Sequence, residues 1–357
     1  MNGNRITALA LFLLVSGCSS GLEPSVPLRP QAQAVPALGS KNNQYRYGGC
    51  GVFPNGDIFN HASGGYYRDP DTAQMFAGAP QGNFAYWDDQ ADERVNLTTS
   101  TSATWYTAQG VPGGHNPPLE NATSWPWTNG MFIERGDSHA LVLLTDTCQE
   151  YEAYGSQWTA ANGPFALYGG RTNNLSQTWA SQLVDGESAV TQAGIPLLPT
   201  TYWGEDAGGQ RINHMGSILL VAGYCLSQYG WAYPATSPGY VADTQKCTHP
   251  IHMGDLFKLR DTFNCQPYVA AVAALCRSMK HFPLVVDDEL STDSNEPWAL
   301  RFGLTAAGQK AWPYYGNGAL QQFLTALTPS ANTWMHVEPP GYTIECLPGH
   351  TYGVDCW

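Results

Sequence analysis

Charge is scarce in this chain, and positive charge scarcest: 13% of residues are charged, with 16 basic against 29 acidic side chains and a net charge of −13. Binding to nucleic acid draws on basic side chains that neutralise phosphates and release counterions, so this balance argues against such a partner. No apolar run approaches the roughly 20 residues that a membrane-spanning helix needs. None of the nine cysteines stands in a C-x-x-C pair, which argues against zinc-ribbon and thioredoxin-like chemistry. There is no G-x-S-x-G elbow, no H-E-x-x-H and no P-loop, since residues 303–310 read GLTAAGQK without the Gly-Lys pair. His249-Pro250-Ile251-His252 has H-x-x-H spacing, but the proline disfavours a helix that would display both rings. No cofactor and no metal are expected.

What is present begins at the N-terminus. A short basic segment ends at Arg5, Ile6 to Val15 is almost unbroken apolar sequence, and Val15-Ser16-Gly17-Cys18 follows. A basic start, a short apolar core and small residues before a cut describe a signal peptide. The cysteine directly after Ser16-Gly17 resembles the lipobox of bacterial lipoproteins, which implies a signal peptide over 1–17, acylation of Cys18 by chains such as palmitate, and anchorage in a lipid bilayer. Residues 18–43 contain Pro24, Pro27, Pro30 and Pro36 with no apolar period and read as a flexible tether. Residues 44–357 read as one domain. Ser19 after the lipidated cysteine, rather than Asp, implies an outer-membrane address in a Gram-negative host.

Setting Cys18 aside leaves an even set of cysteines: Cys50, Cys148, Cys225, Cys247, Cys265, Cys276, Cys346 and Cys356. In an exported chain this reads as a disulfide framework. Cys346 with Cys356 would close a local loop, and Cys225 with Cys247 would join neighbouring segments. Cys265 and Cys276 are expected not to pair, because a helix over Gln266 to Met279 would hold them roughly 15 Å apart.

Short apolar or alternating stretches separated by Gly, Pro and Asn clusters dominate the domain, among them Ala140 to Leu144, Gln149 to Tyr154, Ile218 to Tyr224, Leu256 to Arg260 and Leu284 to Val286. Helical spacing marks Pro267 to Met279 and Ala319 to Leu327. The economical reading is a mainly β domain, an antiparallel sandwich or jelly-roll with a few helices.

Twelve Trp and 19 Tyr in a charge-poor, amide-rich chain suit a neutral hydroxylated ligand such as a polysaccharide, whose rings stack on aromatic faces. The same composition also fits a stable extracellular β protein that binds nothing of the kind. Trp125, Trp127, Trp158, Trp179, Tyr202 and Trp203 are candidate stacking surfaces, and each taken singly is an ordinary core residue. The densest polar stretch runs from Asp137 to Glu152. In a strand, Glu150 and Glu152 share a face about 7 Å apart, opposite Tyr151. Like charges that close raise one pKa and give the unequal acid and base of glycoside cleavage. The competing reading is a solvated strand face.

Residues from about Glu134 to Pro339 resemble a family of secreted bacterial proteins that brings no established activity. The resemblance rests on Asp137-x-His139, Cys148-x-x-Tyr151-Glu152-x-Tyr154, residues 193–199 (AGIPLLP), residues 211–214 (RINH), Met253-Gly254 before Lys258-Leu259-Arg260, and Asp287-Asp288 followed by Trp298. It directs attention to particular polar residues. Glu152 is the expected general acid or nucleophile with Glu150 beside it, Asp137 would orient His139, and His214 would act as a base or bind a substrate hydroxyl. Trp158, Tyr154, Asn213, Trp203 and Asp287 are the expected substrate contacts. Three functions compete: a glycoside hydrolase, a non-catalytic glycan or protein binder, and an envelope scaffold.

Overall fold

The computed structural model describes residues 44–78, 81–87, 93–110, 124–128, 130–158, 165–183, 190–209, 212–221, 226–239, 249–290, 297–313, 318–349 and 351. They fall within one compact unit, residues 34–357. The domain is mainly β with few helices. A seven-stranded sheet has the order Tyr67–Arg68, Trp334–Glu338, Leu256–Leu259, Leu284–Leu290, Gly216–Val221, Trp298–Arg301, Phe84–Trp87. Gly216–Val221 runs parallel to Leu284–Leu290, and Trp298–Arg301 parallel to Phe84–Trp87. The other neighbours in this sheet are antiparallel.

A sandwich-like part stands beside it. One sheet orders Gly169–Asn174, Gln149–Tyr154, Ala140–Leu144 and Val95–Thr98. The other orders Gln157–Trp158, Phe165–Leu167, Thr104–Gly110 and Ser124–Trp127. Ala140, Val142, Leu144, Tyr151 and Ala153 pack against Trp125, Trp127, Ala108 and Leu167 between the two sheets. Leu141 and Leu143, on the opposite face of the same strand, belong to the main core with Trp203, Phe257 and Trp298. That double burial explains why Ala140–Leu144 is apolar without alternation: a strand covered on both sides has no solvent face to mark. Trp125, Trp127, Trp179, Tyr202 and Trp203 are all buried and serve as core.

The helix Ala270–His281 buries Val272, Leu275, Cys276 and Met279, the i, i+3, i+4, i+7 set of one face, and ends with Lys280 and His281 against its C-terminal dipole. It starts later than the periodicity suggested, and this corrects the disulfide expectation. Asn264 Oδ1 accepts the Gln266 amide at 3.0 Å, turning the chain ahead of the helix. Cys265 therefore folds back on the helix and pairs with Cys276, their Cα atoms 5.7 Å apart. Cys50 pairs with Cys148. Cys346 is disulfide-bonded too; Cys225, Cys247 and Cys356 lie outside the described residues.

Two local features place the polar residues discussed below. Ile218 faces Val286 but Leu219 faces Asp288, so Asp287 is the extra residue of a β-bulge. Next to the bulge, Gly254 holds φ 90° and donates its N–H to Val286 O at 2.7 Å. A Cβ there would sit 1.7 Å from Ala232 O, a contact only glycine avoids.

The closed loops set the expected cost of losing each cross-link. Cys50–Cys148 spans 98 residues and Cys265–Cys276 spans 11. Replacing the first pair by alanine should cost about 4–5 kcal/mol and the second about 3 kcal/mol in denaturant unfolding. The reverse order, or no loss at either pair, would contradict the pairing.

Candidate functional site

Site building starts at the turn before Ala140–Leu144. Glu134 accepts the Gly136 amide with one carboxylate oxygen and the His139 amide, at 3.1 Å, with the other. Its backbone N–H also donates to His139 O at 2.9 Å. Ser138 is thereby held at φ 60°, a conformation uncommon for a residue with a side chain. Gly155 and Ser156, just past the Gln149–Tyr154 strand, donate their amides to Asp137 O and Ser138 O at 3.0 and 2.9 Å. The turn is clipped from both sides, leaving Asp137 exposed and His139 buried.

Asp137 does not orient His139, contrary to the sequence-based expectation. His139 Nδ1 lies 3.4 Å from Glu93 Oε1 and 3.8 Å from Glu134 Oε2. Burial opposes a charged ring, but Glu93 and Glu134 outweigh it and raise the His139 pKa. Glu93 links this histidine to Arg301, which is 1% exposed. Arg301 Nη1 donates to Glu93 Oε1 at 2.9 Å, and its Nη2 donates to Asp288 Oδ2 at 2.9 Å and lies 3.6 Å from Asp287 Oδ1. Burial pushes the Glu93 pKa up, but Arg301 and His139 overcome it and leave it lowered. Asp287 and Asp288 stay raised because burial outweighs the same guanidinium. The bulge at Asp287 lets both consecutive carboxylates reach one arginine, which strict strand alternation would prevent.

Asp288 leads from this buried cluster toward solvent, its side chain 16% exposed. Gln192 gathers the outer carboxylates: its amide donates to Asp288 Oδ1 at 3.4 Å and its side chain to Glu289 Oε1 at 2.8 Å. Burial, reinforced by Asp288, lifts the Glu289 pKa to about 7. The half-buried Tyr154 ring sits 5.5 Å from His139 and 6.5 Å from Tyr168, and both Asp137 and Asp288 act on its hydroxyl. Asp137, His139, Tyr154 and Asp287 thus converge, joined by Glu93, Glu134, Asp288, Glu289 and Arg301, for which sequence reasoning proposes no site role. The available signal for Arg301 was a lone cation inside the apolar run Trp298 to Phe302.

The carboxylates expected to react lie elsewhere and are not on a solvated face. Glu150 and Glu152 are each 1% exposed, on the face of their strand that meets the main core. Glu152 Oε1 accepts the amides of Leu197 and Leu198 at 2.6 and 3.3 Å, and Glu150 Oε2 accepts from Asn173 at 2.9 Å. Burial raises both pKa values, and Glu152 raises that of Glu150 further. Opposite Glu152 across the ladder, Arg171 spans the Trp179 ring at 4.1 Å and donates to Gly194 O at 3.1 Å. This network clamps the 193–199 loop to the sandwich, so the pair is corrected from catalytic residues to a loop anchor.

His214 is fully buried, with Nδ1 2.7 Å from Met215 O, Nε2 3.2 Å from Asp206 and the Tyr45 ring 3.9 Å away. Tied on both edges, it is a core histidine rather than a base. Trp203 is fully buried with its indole N–H on Leu198 O, which corrects its placement as a substrate contact. Asn213 is half-buried beside His214. The side chain of Trp158, and Cys18 with its surroundings, lie outside the described residues.

No family model matches the chain, and neither does any curated protein or solved structure. Functional inference therefore rests on the geometry above.

Raised carboxylate pKa values make stability pH-dependent. Asp57, buried under the Trp179 amide, rises to about 6 and Glu289 to about 7. A folded-state pKa above the unfolded value contributes stability that is complete at about pH 4 and is lost as pH rises through 6 and 7. Glu93 works in the opposite sense, losing its contribution as pH falls below the ordinary carboxylate range. The melting temperature should therefore fall by several degrees between pH 5 and pH 7.5, with a shallower fall in Asp57→Asn. A melting temperature that climbs over that interval would overturn the assignment.

Proposed function

We propose that the protein is a lipoprotein held to the cell envelope through Cys18, and that its domain is carbohydrate-active, cleaving glycosidic bonds at the Asp288–Glu289 mouth. What carries the reading is a set of carboxylates whose protonation is pulled apart within one site: Glu93 is held ionised by Arg301 while Glu289 keeps its proton to about pH 7. Glycoside cleavage needs such an inequality, because one carboxylic acid protonates the leaving oxygen while a carboxylate supports the anomeric carbon or activates water. Glu289 is the general acid in this scheme. Asp288 is the second carboxyl group and ionises ahead of Glu289: burial raises its pKa, but Arg301 donates to it and opposes the rise, while Gln192 donates to both acids. Tyr154 and Tyr168 supply an aromatic face beside them, as sugar-binding sites commonly do.

A non-catalytic glycan-binding lipoprotein is the second reading, favoured by the tyrosine pair and the exposed Asp137 taken without the acids.

Full-length protein incubated with a polysaccharide panel should generate new reducing ends. Glu289→Gln should lower that rate at least about 100-fold while folding normally by circular dichroism, and Asp288→Asn, which also withdraws a partner from Arg301, should lower it as far with a reduced melting temperature. Wild-type binding without new reducing ends would select the binder, and variants as fast as wild type would sink the acid assignment. Membrane anchorage has its own check: Cys18→Ser should move the protein from the membrane fraction to the soluble one, and an unchanged distribution would refute lipidation at that residue.

A further inference from the structure

The geometry points to a divalent transition-metal site of the Zn²⁺ type at the edge of the seven-stranded sheet, formed by Asp69, His336 and Glu338. His336 and Glu338 are i and i+2 in the Trp334–Glu338 strand and so share a face. Asp69 follows the edge strand Tyr67–Arg68 and donates its amide to His336 O at 3.2 Å, which sets it across the ladder from that histidine. One ring nitrogen and one carboxylate oxygen from each acid lie within 4.8 Å of one another. Asp69 and Glu338 are partly exposed, so an ion reaches them from solvent, whereas His336 is buried.

Two further observations separate this from a chance acidic cluster. His336 turns Nδ1 to Asp69 Oδ2 at 2.8 Å and its opposite nitrogen, Nε2, to Asp255 Oδ1 at 3.5 Å. A buried carboxylate behind the far nitrogen of a ligating imidazole is the usual support of a metal-bound histidine, and Asp255 stands in that place at ion-pair distance, with Nε2 otherwise without a hydrogen-bond partner among the described residues. Asp255 is fully buried and is itself fixed by the Tyr342 hydroxyl at 2.6 Å and the His252 amide at 2.8 Å. The His252 ring is buried with neither nitrogen hydrogen-bonded among the described residues, and its Nδ1 lies 3.4 Å from Asp255. The second observation is charge. Asp69, Glu338 and Asp255 bring three carboxylates around His336, while the neighbouring cations Lys258 and Arg68 face Asp261 at 3.5 and 3.7 Å. A mixed imidazole and carboxylate set suits zinc and its neighbours better than calcium or magnesium, which take oxygen ligands, and three protein ligands leave a coordination position for water.

The test is calorimetric titration of EDTA-stripped, full-length protein with ZnCl₂, with CaCl₂ in parallel. The expected result is one saturable Zn²⁺ site, at least tenfold weaker in Glu338→Gln and in Asp69→Asn, whose partial exposure lets both variants fold. Asp255→Asn should weaken binding about 10- to 100-fold as a supporting residue. No saturable Zn²⁺ binding below 1 mM, on the order of the weakest metal sites, would overturn the proposal. So would Zn²⁺ affinity unchanged in both Glu338→Gln and Asp69→Asn, or a preference for Ca²⁺.

Discussion

A buried guanidinium is the constraint around which this domain is arranged. Arg301 is wholly enclosed, and an isolated charge in that position would be prohibitive. Its partners come from near and far along the chain: Glu93 lies 208 residues away in sequence, whereas Asp288 lies 13 away, on a strand separated from that of Arg301 by Gly216–Val221. Removing a single partner from such a group typically costs about 3–5 kcal/mol, because the remaining charge is left buried and unpaired. The ion cluster therefore fixes how the Val95–Thr98 region, the seven-stranded sheet and the 190–203 segment meet. That segment is pinned directly to it: Ala193 donates to Asp287 O, Thr200 reaches Asp287 Oδ2, and Tyr202 donates to Arg301 O.

One guanidinium cannot neutralise Glu93, Asp287 and Asp288 together. Arg301 and His139 together hold the Glu93 pKa down, whereas burial outweighs Arg301 at Asp287 and Asp288 and raises theirs. The strand then carries the imbalance outward to Glu289 at the rim. A set of carboxylates with unequal shifts, lowered at Glu93 and raised at Asp287, Asp288 and Glu289, follows from desolvation, Arg301 and His139. No catalytic purpose is needed to produce it, but it supplies the acid and base that hydrolysis of a glycosidic bond requires.

Much of this was legible residue by residue and little of it pair by pair. Composition and short apolar runs gave the β-rich class, and i, i+3, i+4 spacing gave both longer helices, Ala270–His281 and Ala319–Ala326. The face shared by Glu150 and Glu152 was correctly placed opposite Tyr151, but alternation does not distinguish a solvated face from one covered by a second layer. The covering here comes from Leu197 and Leu198, a loop more than forty residues downstream. The Cys265–Cys276 pairing is not legible from apolar periodicity, because the side-chain turn at Asn264 delays the helix, a local effect that periodicity does not report. Glu93 and Arg301 left only a weak trace, a charge inside an apolar run, and identifying the partner takes tertiary structure.

The two polar centres differ in a way that bears on their roles. At the Arg301 cluster the buried positive charge is built into the chain, so the site can retain a proton on a rim carboxylate and present it outward. At Asp69, His336 and Glu338 the chain supplies carboxylates in excess of cations and directs its nearest lysine and arginine to Asp261 instead. The first arrangement has its cation built in, and the proposed hydrolysis would draw on the unequal pKa shifts of its carboxylates. The second holds a surplus of negative charge around an imidazole already braced from behind by Asp255, the circumstance in which a divalent cation gains most from binding. Both centres use the same seven-stranded sheet, one at an internal bulge and the other at its edge strand, so the fold positions each by backbone register before side-chain chemistry acts.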